Sequence, residues 1–366
     1  MIQTIGILGG GQLGRMMAIA AREMGYNIVV LDPTPNCPCA AVADKQIVAS
    51  FEDVDAAKEL LSLCDVITYE FENVNLAVAK ALEPKLPQGS ELLKITQNRI
   101  LEKALIRSAD QRTVNYTAIE SQQNLHDFAK DYQTNPRKIV IKTAQGGYDG
   151  KGQFVMESAQ ALEEFIKQQY NEGLTYVAED FISFEKEISV IVCGNISGEL
   201  STFPVAENIH KNQILHKSIV PARIADSILQ KAEAAAIQIA RKLQLVGTLA
   251  VEMFVTTDNV IINELAPRPH NSGHYTLDAC ATSQFEQHIR AICNLPLSDN
   301  RLLSPCVMIN VLGQDDYLMN PNYVGKHKLH LYGKKEAKHD RKMGHINVLG
   351  ETQDECIIEA DKLLEP

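Results

Sequence analysis

Long apolar runs are absent from this chain. No segment approaches the roughly 20 residues needed to cross a bilayer, and the first residues lack the zones of a signal peptide. Both absences point to a cytoplasmic protein without membrane contact. Net positive charge is missing too. With 35 Lys and Arg against 46 Asp and Glu, the formal charge is −11, which argues against a general nucleic-acid binder. Eight cysteines are scattered, and the closest pair, Cys37 and Cys39, has the wrong spacing for a zinc knuckle or a redox pair. Reduced thiols are expected. There is no tryptophan, no low-complexity tract and no long repeat. What remains is an ordinary globular composition, 45% hydrophobic and 22% charged over 366 residues. That length suits two or three domains with sizeable cores.

The stretch 249–275, LAVEMFVTTDNVIINELAPRPHNSGHY, carries the densest chemistry. Apolar and β-branched residues on both sides of Thr257, Asp258 and Asn259 predict a hairpin. A three-residue loop would set Glu252 opposite Glu264, with Cβ atoms roughly 5 Å apart on one face. Two ionised carboxylates that close need a shared proton or a cation between them. Oxygen ligands for a hard cation, with phosphate oxygens completing its shell, describe a Mg-nucleotide site. A register slip of one residue would instead separate the pair and leave one glutamate facing solvent. Arg268, His270, Asn271, Ser272 and His274 follow at once, packed around Pro267, Pro269 and Gly273 as a binding loop.

Earlier in the chain, a strand at Thr4–Leu8 runs into GGGQLGR at 9–15, a helix over about 13–24, and a strand at Asn27–Leu31 ending in Asp32. Formally this is a dinucleotide-binding fingerprint, so a nicotinamide-dependent dehydrogenase is a rival reading. A third strand, Val66–Tyr69, ends in Glu70, Phe71, Glu72 and Asn73, where open α/β sheets bind ligands. Glu70 and Glu72 share a face and could hydrogen-bond hydroxyls or an amine, or could form a solvated pair. Pro84, Pro87 and Gly89 mark a linker, and the first domain is expected to end near residue 95. Helical periodicity over 95–106 carries Arg99, Glu102 and Lys103. A strand over 138–142 then brings Lys142 to the loop QGGYDGKGQ at 145–153, whose four glycines free amides to surround phosphate oxygens. Two strands joined by a short bend follow over 176–192. Backbone groups around Glu179, Asp180, Phe181 and Ile182 could meet an adenine edge there, and Glu187 could accept from ribose hydroxyls; charge alternation on an exposed strand would look similar. His210 is placed in a polar loop, and 222–243 reads as a covering helix. After Pro296 a smaller unit opens with a strand at 307–312. Its segment 331–347 holds five Lys and Arg against two acids, a site for an anion or a solvated surface run.

Taken in order, GGGQLGRM near the start, YEFENV at 69–74, GGYDGKGQ at 146–153, EDFISFEKEIS at 179–189, NELAPRPHNSGH at 263–274 and RKMGHIN at 341–347 span nearly the whole chain. Together they resemble the ATP-grasp superfamily and, within it, the 5-(carboxyamino)imidazole ribonucleotide synthases of purine biosynthesis. The resemblance implies a mixed α/β and α+β fold. It comprises a Rossmann-like βαβ domain over 1–95, a two-lobed ATP-grasp domain over 96–296, and a small β-rich domain over 297–366. ATP contacts are implied for Arg99, Lys142, Gly147, Tyr148, Asp149, Gly150, Lys151, Gly152, Gln153, Glu179, Asp180, Phe181, Ile182, Glu187, His210, Asn263 and Glu264. Mg2+, or Mn2+ in its place, would sit on Glu252 and Glu264. The reaction implied takes ATP, bicarbonate and 5-aminoimidazole ribonucleotide to the carbamate, ADP and phosphate through carboxyphosphate. Lys142, Arg268 and His270 are the catalytic candidates. Glu70, Tyr148, Asp149, Arg268 and His270 would hold the aminoimidazole substrate or bicarbonate, with Lys335, Arg341 and Lys342 on the ribose phosphate. A homodimer is expected. Other ATP-grasp carboxylases or ligases and a non-catalytic nucleotide sensor are the remaining alternatives.

Overall fold

The computed structural model describes residues 2–146 and 152–365. Its first unit is a parallel sheet of β1 (Thr4–Leu8), β2 (Asn27–Leu31), β3 (Lys45–Ile47) and β4 (Val66–Tyr69), ordered β3-β2-β1-β4. The inner strands read as unbroken apolar runs because both faces are covered. On the helix Gln12–Glu23, Leu13, Met16, Met17, Ala20 and Ala21 are buried. Their spacing of three and four residues forms one apolar stripe against the sheet. The single helix expected over 95–106 is two helices, Ser90–Thr96 and Arg99–Ser108. Asn98 breaks it: its side chain accepts from the backbone N–H of Ile100 and Leu101 and caps the second helix. That break places Arg99 on the first turn.

A small antiparallel sheet follows, made of β5 (Tyr116–Ile119), β6 (Ile139–Thr143), β7 (Gln153–Met156) and β8 (Tyr176–Asp180). A larger sheet then assembles β9 (Lys186–Gly194), β10 (Leu200–Thr202), β11 (Ala206–Lys211), β12 (Ile214–Val220), β13 (Gly247–Val255), β14 (Val260–Ala266), β15 (Cys306–Leu312), β16 (Lys328–Leu331) and β17 (Lys342–Leu349). The two strands expected on either side of the bend at 181–185 exist, but they belong to different sheets. That bend therefore joins the two lobes. The C-terminal unit is not a separate sheet either: β12 pairs with β15, so β15, β17 and β16 extend the large sheet. It keeps a core of its own, with Val307, Ile309, Ile346 and Val348 packed on Cys356 and Ala360 of the last helix.

His210 lies on β11 rather than in a loop. Lys211 pairs with Ile214 across a two-residue turn. Asn212 and Gln213 both have positive φ (51° and 65°), the turn that matches strand twist in a tight hairpin.

Candidate active site

Glu252 on β13 does face Glu264 on β14, though by a different route from the one expected. Thr256 and Asn259 exchange backbone hydrogen bonds, leaving only Thr257 and Asp258 in the turn. From Val255↔Val260 to Met253↔Ile262 this tight register runs unbroken, then shifts by one between Glu252 and Met253. Asn263 is the extra residue of that bulge. Without it, Glu252 would oppose Asn263 and the carboxylates would part. The Oδ1 of Asn263 is buried with no hydrogen-bond partner among the described residues. Two opposed carboxylates and an unpartnered amide oxygen fit a hard divalent cation.

Each carboxylate also has a protein partner. His270 Nε2 lies 3.0 Å from Glu252 Oε1, and Arg99 Nη1 lies 3.3 Å from Glu264 Oε2. Burial alone would raise the Glu252 pKa, but the His270 hydrogen bond first, and then the positive charge around it, Arg268 included, hold it down at about 2. Behind the pair, buried Glu102 accepts from the Leu265 N–H at 2.6 Å. Burial first and the charge of Glu264 second push its pKa up to about 8.

The loop after β14 is held from three sides. Arg268 donates through Nε and Nη2 to both oxygens of Glu72, from the first domain. Gln284 grips His270 at its N–H (2.9 Å) and its C=O (2.8 Å). Asn271 and Asn310 of β15 exchange a reciprocal pair of side-chain hydrogen bonds at 2.8 and 2.7 Å. The Glu72 loop is itself fixed by Gln97, which donates to the carbonyls of Glu72 and Val74 at 2.7 Å each. A cleft of about 450 Å³ opens here, lined by Gly11, Glu70, Glu72, Arg268, His270 and Lys342 among others. An adjoining cavity of similar volume, lined by Phe51, Asn75 and Gln145, has no cationic side chain among the described residues that line it.

Glu70 lines this cleft, with each carboxylate oxygen already accepting one bond from the fold. Its carboxylate accepts from the N–H groups of Gly11 and, at 2.7 Å, Gly14. A Cβ on Gly11 would meet Glu70 Oε1 at 2.7 Å, so the glycine turn is shaped around a glutamate. Asp32 likewise accepts from Gly10 N–H at 2.8 Å and Thr34 N–H at 2.7 Å. The amides and the acid that a dinucleotide would need are engaged within the fold, which removes the dehydrogenase reading.

In the small sheet, Lys142 on β6 and Lys103 flank buried Glu179 of β8, at 2.7 and 2.9 Å. Burial would raise the Glu179 pKa, but the two ammonium groups bring it below the usual range. Gly152 and Gln153 close the base of the glycine-rich loop, through Thr143 N–H to Gly152 C=O (2.9 Å) and the Lys142↔Gln153 pair. The readings placed on Gly147, Tyr148, Asp149, Gly150 and Lys151 lie outside the described residues. At the bend, the N–H groups of Asp180 and Phe181 already donate to Asn115 and Lys138 carbonyls. Of the backbone N–H groups expected to meet an adenine edge, these two are therefore already paired within the fold. Glu187 and His210 form a pair at 3.0 Å. The His210 pKa is raised: burial opposes the charge, but Glu187 outweighs it.

Three family models match in sequence order: a ribonucleotide synthetase preATP-grasp domain over 2–97, an ATP-grasp domain over 104–285, and a phosphoribosylaminoimidazole carboxylase C-terminal domain over 306–359. The N5-carboxyaminoimidazole ribonucleotide synthase of Bacillus subtilis (strain 168) is 49% identical over 361 residues, covering 97% of this chain and 94% of that protein. The chain belongs to the N5-carboxyaminoimidazole ribonucleotide synthase family. A solved ADP complex of an N5-carboxyaminoimidazole ribonucleotide synthetase superposes with a TM-score of 0.93 at 52% identity, covering 99% of this chain and 96% of the other. The Aspergillus clavatus N5-carboxyaminoimidazole synthase, solved with ADP and 5-aminoimidazole ribonucleotide, gives a TM-score of 0.91 at 28% identity, covering 99% and 98%.

Within this synthase-family site, sequence reasoning overlooked Gln284 and Lys334. Gln284 lies ten residues past the motif, and only its burial and contacts reveal it. Lys335 was singled out for the phosphate, yet it is exposed, while Lys334 turns inward. Lys334 donates to the Lys342 carbonyl at 2.6 Å. Burial first, then the charges of Arg341 and Lys342, lower its pKa to about 8, against an opposing pull from Glu70. Which of two adjacent lysines packs inward depends on side-chain direction, and the sequence does not show it.

Proposed function

We propose that this chain carboxylates the exocyclic amine of 5-aminoimidazole ribonucleotide, using ATP and bicarbonate, and releases ADP and phosphate in purine biosynthesis. The observation that carries this reading is the cleft lined by Arg268, His270 and Lys342, with His270 paired to Glu252. ATP takes the space between the two antiparallel sheets, with Lys142, Arg99 and the glycine-rich loop on its phosphates and Glu187 and His210 toward its ribose. A divalent cation, Mg2+ or Mn2+, would be held by Glu252, Glu264 and the Asn263 oxygen, and supplies charge neutralisation to the phosphates. Bicarbonate is a poor electrophile until its oxygen bonds to the γ-phosphorus and ADP leaves. The substrate amine then forms a bond to the carboxyl carbon, phosphate departs, and the amine loses a proton.

Arg268 suits the anion. A guanidinium has five N–H donors; three of them bond Glu72 and the Pro269 carbonyl, leaving two for bicarbonate. Lys334, Arg341 and Lys342 form the cationic wall for the ribose phosphate, with Lys334 taking the part first given to Lys335. Tyr148 and Asp149 remain candidates for the aminoimidazole ring. The eight cysteines are free thiols in buried positions, which agrees with a cytoplasmic enzyme. No helix among the described residues is long and apolar enough to cross a membrane. A homodimer rests on family resemblance and is read out by sedimentation.

The deciding measurement is ADP formation with bicarbonate, with and without 5-aminoimidazole ribonucleotide. Turnover should need all three substrates, and Glu264→Gln should remove it. ADP release stimulated by a different amine and not by this one would sink the proposal.

A further inference from the structure

A file of hydrogen bonds runs through the large sheet to His270. Ser218 Oγ on β12 donates to Asn208 Oδ1 on β11 at 2.8 Å, and Asn208 Nδ2 donates to Ser189 Oγ on β9 at 3.0 Å. Ser189 Oγ donates to Ser272 Oγ at 2.7 Å, and Ser272 Oγ lies 2.9 Å from His270 Nδ1. Finally His270 Nε2 reaches Glu252 Oε1 at 3.0 Å. Ser218, Asn208, Ser189 and Ser272 are all buried, the most exposed being Asn208 at 7%.

The direction of this file is determined at both ends. An amide nitrogen can only donate, so Ser189 Oγ is an acceptor toward Asn208 and must send its own proton to Ser272. Ser272 then sends its proton to His270 Nδ1. A second donor agrees: the backbone N–H of Ser272 also points at Nδ1, at 3.3 Å. Nδ1 is thereby a lone pair, and the ring proton resides on Nε2, aimed at the Glu252 carboxylate. Ser189 is directly opposite Glu252 in the β9–β13 pairing, so the file passes beside Glu252 and then ends on its carboxylate.

We propose that Ser189 and Asn208, acting through Ser272, are positioning residues that hold His270 in the Nε2–H tautomer. His270 then directs its one N–H at Glu252, and its lone pair faces Ser272. The inference rests on the functional reading above for the importance of His270. Its own test needs no substrate.

Long-range proton–nitrogen NMR of the free, full-length protein reports the tautomer of each histidine, and the His270 signals are those lost in His270→Gln. Wild type should show Nε2–H. In Ser189→Ala the Ser272 hydroxyl is free to accept, so a fraction of the Nδ1–H form should appear against the longer Ser272 N–H contact at 3.3 Å, with kcat falling by up to about tenfold and KM for ATP unchanged. Asn208→Ala should do the same more weakly, since Ser189 still donates to Ser272; it serves if Ser189→Ala fails to fold. A wild-type spectrum of the Nδ1–H tautomer or of imidazolium overturns the proposal. So does an unchanged tautomer in both folded variants. If turnover with 5-aminoimidazole ribonucleotide is absent while the tautomer behaves as stated, the functional reading fails and the positioning role stands.

Discussion

Arg268 and Glu72 come from different domains, and their two-point contact fixes the guanidinium plane at the edge of the cleft. Lysine carries the same charge but cannot make that paired contact. Arg268→Lys should therefore lower kcat/KM by about 10²- to 10³-fold, the usual cost of one misplaced donor at a developing charge, while the melting temperature stays close to wild type. Lys334 has a different signature. With its pKa lowered to about 8, it is protonated below that pH and loses its charge above it. Affinity for the ribonucleotide should thus weaken as pH rises past 8, by up to about tenfold per unit. Isothermal titration at pH 7 and pH 9 checks this, and Lys334→Met should flatten the dependence.

The β13–β14 hairpin shows how one residue decides a site. Its turn is tighter than the sequence suggested, and the Asn263 bulge restores the carboxylate pairing that the turn alone would have destroyed. Glu102 supports the same segment through the Leu265 N–H. A carboxyl with a pKa of about 8 is mostly protonated at neutral pH, so a neutral amide of the same shape is a close mimic. Glu102→Gln should leave urea stability nearly unchanged. Glu102→Ala strands the buried N–H and should cost about 1–3 kcal/mol. Equal losses in the two variants would show that charge, and not the hydrogen bond, is what matters there.

Across the whole molecule, interdomain contacts rely on neutral histidines. His288 ties Thr68 of the first sheet to Thr248 of β13, at 2.8 and 3.1 Å, and burial lowers its pKa to about 3. At the end of the loop after β14, His274 packs on His345 with ring centres 4.8 Å apart, both pushed well below 6.5 by burial. A histidine whose folded pKa is depressed takes up its proton preferentially in the unfolded chain. Stability is then complete above the unfolded pKa near 6.5 and is lost as pH falls below it. At pH 5 each buried histidine should subtract about 2 kcal/mol. Denaturant melts at pH 7.5 and pH 5 should differ accordingly, and His288→Gln should shrink the difference by roughly one histidine's share.

Strand alternation and motif order were enough to point to the hairpin that carries Glu252 and Glu264 and to the polar loop behind it, because each depends on residues near one another in the chain; the bulge that sets the two carboxylates opposite each other was not read. Helix capping at Asn98 and the hairpin turn at Asn212 and Gln213 were also local, and were there to be read. What the chain could not disclose is where distant side chains converge. Glu70 fills the glycine turn, Gln284 grips His270, Lys334 and not Lys335 faces inward, and a serine–asparagine file meets the same histidine. Such contacts depend on side-chain direction and strand register, and these are set only when the sheets pack.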